Sequence, residues 1–186
     1  MTQARRTRQI VIGVVGLILL GACQKHVSLS DMQPLHQSEE RITARLAEAR
    51  REGRLRGAIA LATCNRFEIL VDTDDDAQVV QDEFLADYGV PVIAHADAGA
   101  VAHLIRVAAG LESMVLGEDQ IVGQVGQAFR ESDARGMLGK GLHMVYSRVM
   151  RAARKARLAT RSVQAWIAAS RGGFAKLKND RRVIEE

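Results

Sequence analysis

The residues best suited to chemistry are four in a row, Thr63-Cys64-Asn65-Arg66. They lie between two apolar runs, Ala58–Ala62 and Phe67–Val71, that read as short strands, so the cysteine is expected on a tight loop at a sheet edge. A thiol attacks as its thiolate, and Arg66, two residues on, favours that form by charge proximity. Thr63 and Asn65 offer donors that can position a carbonyl or carboxylate. The alternative for the same residues is a small buried cysteine beside a surface arginine.

A second set runs from His103 to Phe129. His103 and Arg106 are three apart on one helix, and Ser113, Glu118, Gln120 and Gln124 gather around a loop and the start of the next. Gln120 and Gln124 share a helix face, and Glu118 and Asp119 sit where a helix N-terminus favours negative charge. The alternatives are a helix-face histidine with an ordinary hydrogen bond and a capped, solvated first turn. No metal site is expected: neither Cys23 nor Cys64 has metal-ligand spacing, and His26, His36, His95, His103 and His143 contain no i, i+4 pair. Two cysteines also give no disulfide framework.

The elements that must position these residues follow from periodicity. Ser38–Arg54 reads as a helix with Ile42, Leu46 and Ala49 on one face, and Ala77–Tyr88 as an amphipathic helix closed by Gly89. An acidic turn at Asp72, Asp74, Asp75 and Asp76 precedes it, and Pro91–Ala94 is extended. Asp97 is expected to cap a helix reaching about Gly110. A loop at Leu111–Gly117 leads to a helix ending near Arg135, and a long basic helix spans roughly Leu138–Ala159. Strands come early and helices late, so the fold class is α+β, a small, mostly antiparallel sheet with packed helices followed by that basic helix.

The chain has 186 residues, room for one domain and a helical extension, and is 47% hydrophobic but only 4% aromatic, which calls for a core of Ala, Val, Leu and Ile. Its charged fraction is that of a globular protein. The formal net charge is +4, but its distribution matters more: no Asp or Glu occurs between Ala134 and Asn179. Arg148, Arg151, Arg154, Lys155, Arg157 and Arg161 fall in this block, which suits a polyanion such as nucleic acid, or equally a solvated helix face.

The start of the chain supports two readings. Arg5-Arg6-Thr7-Arg8, an apolar run and Leu20-Gly21-Ala22-Cys23 resemble a lipoprotein signal with a lipidated cysteine. The same run, rich in Val and Ile, reads as a buried strand that Gly21 could end. The rest of the chain favours the strand, expected over Val14–Leu20, with Cys23 not lipidated.

The Thr63–Arg66 motif, followed by Phe67 and Glu68, together with His103–Ile121 (His-Leu-Ile-Arg-Val-Ala-Ala-Gly-Leu-Glu-Ser-Met-Val-Leu-Gly-Glu-Asp-Gln-Ile), closely resembles the glutamyl-tRNA reductase family. Ile105, Glu112 and Asp119 depart from its usual Phe, Asp and Pro. The resemblance implies reduction of glutamyl-tRNA to glutamate-1-semialdehyde, which opens tetrapyrrole synthesis, with Cys64 as nucleophile forming a thioester and NADPH giving hydride. It implies an assisting role for His103, and glutamyl-holding positions at Thr63, Asn65, Arg66, Ser113, Glu118, Asp119, Gln120 and Gln124. Glutamyl-tRNA is the implied partner, and an aminomutase, the next enzyme, a further one. Arg148, Arg151, Arg154 and Arg157 are expected to contact tRNA phosphates.

Two departures qualify this. Where the family has Gly-x-Ser/Asn-His-Lys, this chain has Gly21-Ala22-Cys23-Gln24-Lys25. After Arg161 no strand–glycine-rich turn–helix unit is evident, so no NADPH domain is expected in the chain, nor the family's dimerisation domain, which leaves a monomer. The expected organisation is a basic extension over 1–9, the catalytic domain over 10–160 and a divergent tail over 161–186. Activity is then expected to stop at thioester formation or hydrolysis. The other function classes are a non-reducing module that binds glutamyl-tRNA or a partner, and a lipoprotein anchored at Cys23. The expected location is cytoplasmic, without stable membrane association, the membrane lipoprotein being the alternative.

Overall fold

The computed structural model describes residues 16–113 and 120–159. Its strands are β1 (Leu17–Cys23), β2 (Gly57–Thr63), β3 (Arg66–Asp72) and β4 (Ile93–Ala96). Its helices are α1 (Leu29–Gln37), α2 (Glu39–Arg51), α3 (Ala77–Phe84), α4 (Asp97–Ala108), α5 (Gln120–Ala134) and α6 (residues 140–159). The fold is α+β, and the sheet, ordered β2-β3-β1-β4, is antiparallel at every pairing.

Side chains alternate across a strand, and here both faces are covered. Leu17, Leu19, Ile59, Leu61 and Leu70 join one core with Leu104, Val125, Phe129, Val145 and Val149 from α4, α5 and α6. Ile18, Leu20, Phe67, Ile69 and Val71 join the other with Met32, Ile42, Leu46 and Phe84 from α1, α2 and α3. The result is three layers, helices–sheet–helices, with β1 and β3 buried along their whole length.

Several expectations need correction. Gly21 does not end the first strand; it lies inside β1, opposite Glu68 of β3. A Cβ there would stand 2.3 Å from the Phe67 carbonyl oxygen, 2.6 Å from Glu68 Cα and 2.7 Å from its Cγ, so glycine is needed because the β3 backbone and its glutamate occupy the space. The strand begins at Leu17, and the earlier residues of the expected run, through 15, lie outside the described residues.

Asp97 does not cap α4 either. The capping position is Ala96, and the Asp97 carboxylate accepts the backbone N–H groups of Gly16 (2.7 Å) and Leu17 (3.3 Å), fastening the start of β1. It does so at φ 47°, a left-handed conformation that Asp tolerates better than most residues. Helix α3 stops at Phe84, and a 3₁₀ turn at Ala86–Tyr88 completes the expected segment before Gly89 at φ 62°.

Candidate active site

Cys64 and Asn65 form the two-residue turn of the β2–β3 hairpin, with Thr63 paired to Arg66. Such turns usually adopt the primed types with positive φ. Asp97 is the sole non-glycine residue at positive φ among the described residues, so this turn belongs to neither primed class. It is held from outside: the Gln24 N–H donates to the Asn65 carbonyl (3.0 Å), and the Asn65 N–H to Thr63 Oγ1 (3.4 Å). Cys64 is exposed while Arg66 is only 2% exposed. The structure thus reverses the alternative of a buried cysteine beside a surface arginine on both counts.

Period-two alternation puts Arg66, Glu68 and Leu70 on the β3 face covered by α4. Arg66 Nη1 donates to Glu68 Oε1 (2.8 Å), and His103 Nε2 lies 2.9 Å from that same oxygen. Arg66 Nη2 donates to the Glu112 carbonyl (2.9 Å), so the guanidinium is anchored by both ends of its fork. Three polar side chains are therefore buried together, which is tolerable only because they satisfy one another. Glu68 Oε2 is buried with no hydrogen-bond partner. His95, opposite Leu19 on β4, stacks on His103 at 4.4 Å and 24°. Burial, reinforced by the neighbouring His103 ring and the Arg106 guanidinium, pushes the His95 imidazole below its ordinary range.

Above this network Glu112 gathers the cations at the rim. Lys25 Nζ and Arg106 Nε each donate to its carboxylate at 2.9 Å. The Lys25 hydrogen bond, followed by that from Arg106, holds the carboxyl at about 2 against the opposing effect of partial burial. The chain leaving β1 is thereby tied to the end of α4. Cys23, Gln24, Lys25, Asn65 and Glu112 line one small cleft there.

Of the expected site residues, Thr63, Cys64, Asn65 and Arg66 share the hairpin, and Arg66 is joined through Glu68 to His103 of α4. Ser113 is half-buried just after Glu112, Gln124 is half-buried on α5 and Gln120 is exposed at its start. Glu118 and Asp119 lie outside the described residues, as do Arg161, the basic extension and the tail. Glu68 and Glu112 were not assigned roles from sequence, although charges at alternate positions of an otherwise apolar strand, as at Arg66 and Glu68, signal a buried pair. Among the described residues no group of His, Cys, Asp and Glu could hold a metal ion.

On α6, Arg148, Arg151, Arg154 and Lys155 are exposed and Arg157 is half-buried. The packing face is Leu142, Val145, Val149 and Ala153, with Ala152 and Ala156 half-buried beside it. A groove of about 670 Å³ runs between α5 and α6, with Val122, Tyr146 and Met150 as apolar wall and Arg130, Arg154 and Arg157 as cationic lining. No helix among the described residues is long and apolar enough to cross a membrane.

An α+β domain that presents an exposed cysteine on a hairpin turn, with a buried Arg–Glu–His network on the adjoining strand and helix, suits covalent chemistry on a bound acyl group. The family model described as "Glutamyl-tRNAGlu reductase, N-terminal domain" matches residues 20–160, and the chain belongs to that family. It is 43% identical over 109 residues to the glutamyl-tRNA reductase of Xanthomonas campestris pv. campestris strain B100, an alignment covering 58% of this chain and 25% of the relative. It is 34% identical over 157 residues to that of Acidothermus cellulolyticus, covering 79% and 33%. The solved glutamyl-tRNA reductase from Methanopyrus kandleri superposes with a TM-score of 0.65 at 28% identity, over 78% of this chain and 35% of that one. The chain thus spans about a quarter to a third of the curated relatives it matches.

Proposed function

We propose that this chain captures glutamyl-tRNA and takes its glutamyl group onto Cys64, the step with which a glutamyl-tRNA reductase would begin tetrapyrrole synthesis. The reading rests above all on the exposure of Cys64 at the tip of the hairpin, where the first residue of β3, Arg66, begins the buried Arg66–Glu68–His103 network. The Cys64 thiolate attacks the ester carbonyl carbon. A C–S bond forms, the C–O bond to the tRNA ribose breaks, and the ribose oxygen takes up the proton that the thiol gave up. A thioester accepts hydride more readily than an ester, so covalent capture divides one hard step into two easier ones. NADPH is the donor the family resemblance implies. Among the described residues the all-antiparallel sheet contains no strand–glycine-rich turn–helix unit that would hold it. Where no hydride donor is supplied, the thioester would pass to water, releasing glutamate and restoring the thiol.

Thr63, Asn65, Arg66, Ser113, Gln120 and Gln124, with Glu118 and Asp119, are proposed to hold the glutamyl group within a domain over 10–160. The exposed arginines of α6 and the α5–α6 groove offer tRNA both phosphate partners and an aromatic wall. The test is intact-protein mass spectrometry after mixing the chain with glutamyl-tRNA. A glutamyl adduct is expected in the parent chain and none in Cys64→Ser; an undiminished adduct in Cys64→Ser refutes the assignment.

A further inference from the structure

Glu68 stands at the centre of the buried network, hydrogen-bonded to Arg66 and His103. Its Oε1 receives Arg66 Nη1 at 2.8 Å and lies 2.9 Å from His103 Nε2. An oxygen that already accepts from an arginine is an acceptor toward the imidazole as well, so Nε2 carries the proton. The Nδ1 lone pair is then the ring's remaining acceptor. His95 stacks on the His103 ring, so that ring is restrained both along its edge and on its face. The backbone is built around the same glutamate, since any side chain at position 21 would overlap its Cα and Cγ.

We propose that Glu68 is a positioning residue that holds His103 in the Nε2–H tautomer and in one orientation, acting on Cys64 acylation only through His103. The proposal rests on the reading of Cys64 as the acyl acceptor. It has a chemical consequence: His103 would serve as a proton acceptor through Nδ1, not Nε2, because Nε2 is committed to the carboxylate. Removing such an orienting carboxylate while keeping its shape alters the tautomer and slows the reaction without disturbing substrate binding.

The test uses the full chain with Glu68→Gln, which keeps an oxygen for buried Arg66, because Glu68→Ala strands a buried charge and invites unfolding. Single-turnover formation of the glutamyl adduct is measured across glutamyl-tRNA concentrations. Glu68→Gln is expected to slow the saturating rate at least about tenfold with an unchanged half-saturation concentration. In a His103→Ala background the same substitution should change the rate less than about twofold, because residues acting through one another are non-additive. Proton NMR of histidine-labelled chain should show a slowly exchanging His103 Nε2–H signal that Glu68→Gln removes or shifts upfield. Equal slowing in both backgrounds, or no such signal in the parent chain, overturns the proposal. If the parent chain forms no adduct but shows the signal, and Glu68→Gln loses it, the reading of Cys64 fails while the hold of Glu68 on His103 stands.

Discussion

Glu112→Gln removes one negative charge from between Lys25 and Arg106 while preserving shape and hydrogen-bonding capacity. The native carboxyl is depressed from 4.5 to about 2, chiefly by the Lys25 hydrogen bond. At roughly 1.4 kcal/mol for each tenfold change in proton affinity, that depression is an upper bound of about 3 kcal/mol. Lys25 and Arg106 keep 34% and 43% of their side chains exposed, so water screens the pairing and about 1–2 kcal/mol is expected to be realised. A carboxyl whose folded value lies below its unfolded one stabilises above the unfolded value and loses that contribution as pH falls toward the folded one. Urea denaturation should therefore find Glu112→Gln about 1–2 kcal/mol less stable at about pH 7. The gap should shrink to roughly half by about pH 3.5, since the window runs from 4.5 down to about 2. A gap independent of pH, or no gap at neutral pH, would show that the rim ion pairs do not fasten the end of β1 to α4.

Gly21→Ala places a methyl group 2.7 Å from Glu68 Cγ, so it should cost about 1–3 kcal/mol in denaturation and displace the His103 Nε2–H signal. A neutral Gly21→Ala would mean the β1–β3 spacing yields freely there. Replacing Arg151, Arg154 and Arg157 with Glu should weaken tRNA binding by roughly 1 kcal/mol or more per lost phosphate contact. It should also flatten the salt dependence, while Cys64 still reacts with a small glutamyl thioester. Filter binding across salt concentrations checks this, and an unchanged slope would make the α6 stripe a solvated face. Cys64→Ser, as above, should abolish the adduct.

Much of the architecture was legible because apolar spacing announces itself. Ile42, Leu46 and Ala49, placed on one face by periodicity, are fully buried, and the strands around Cys64 fall within a residue or so of their expected limits. Helix α1 was missed because Pro34 interrupts its pattern and only Met32 and Leu35 are buried; its Ser28 cap, accepting from the Asp31 N–H, was the available signal. Gly21 and Asp97 were misread for a common reason. Each was assigned a local role, strand end or helix cap, whereas each answers to a segment distant in sequence. Glu68 escaped for the same cause: its partners Arg66 and His103 lie two and 35 positions away, and only the fold joins them.

The position of β1 in the sheet bears on how the chain matures during synthesis. This strand is an interior strand whose partners, β3 and β4, are synthesised after it. The tie between Leu17 and Asp97 spans 80 positions. Until β4 and α4 have emerged, Leu17, Ile18, Leu19 and Leu20 have no completed sheet to enter and stay open to solvent and to chaperones. The burial that conceals this lipoprotein-like segment in the finished domain is therefore a late event. A lesion that delays β4 prolongs exposure of β1, far from the lesion itself in sequence.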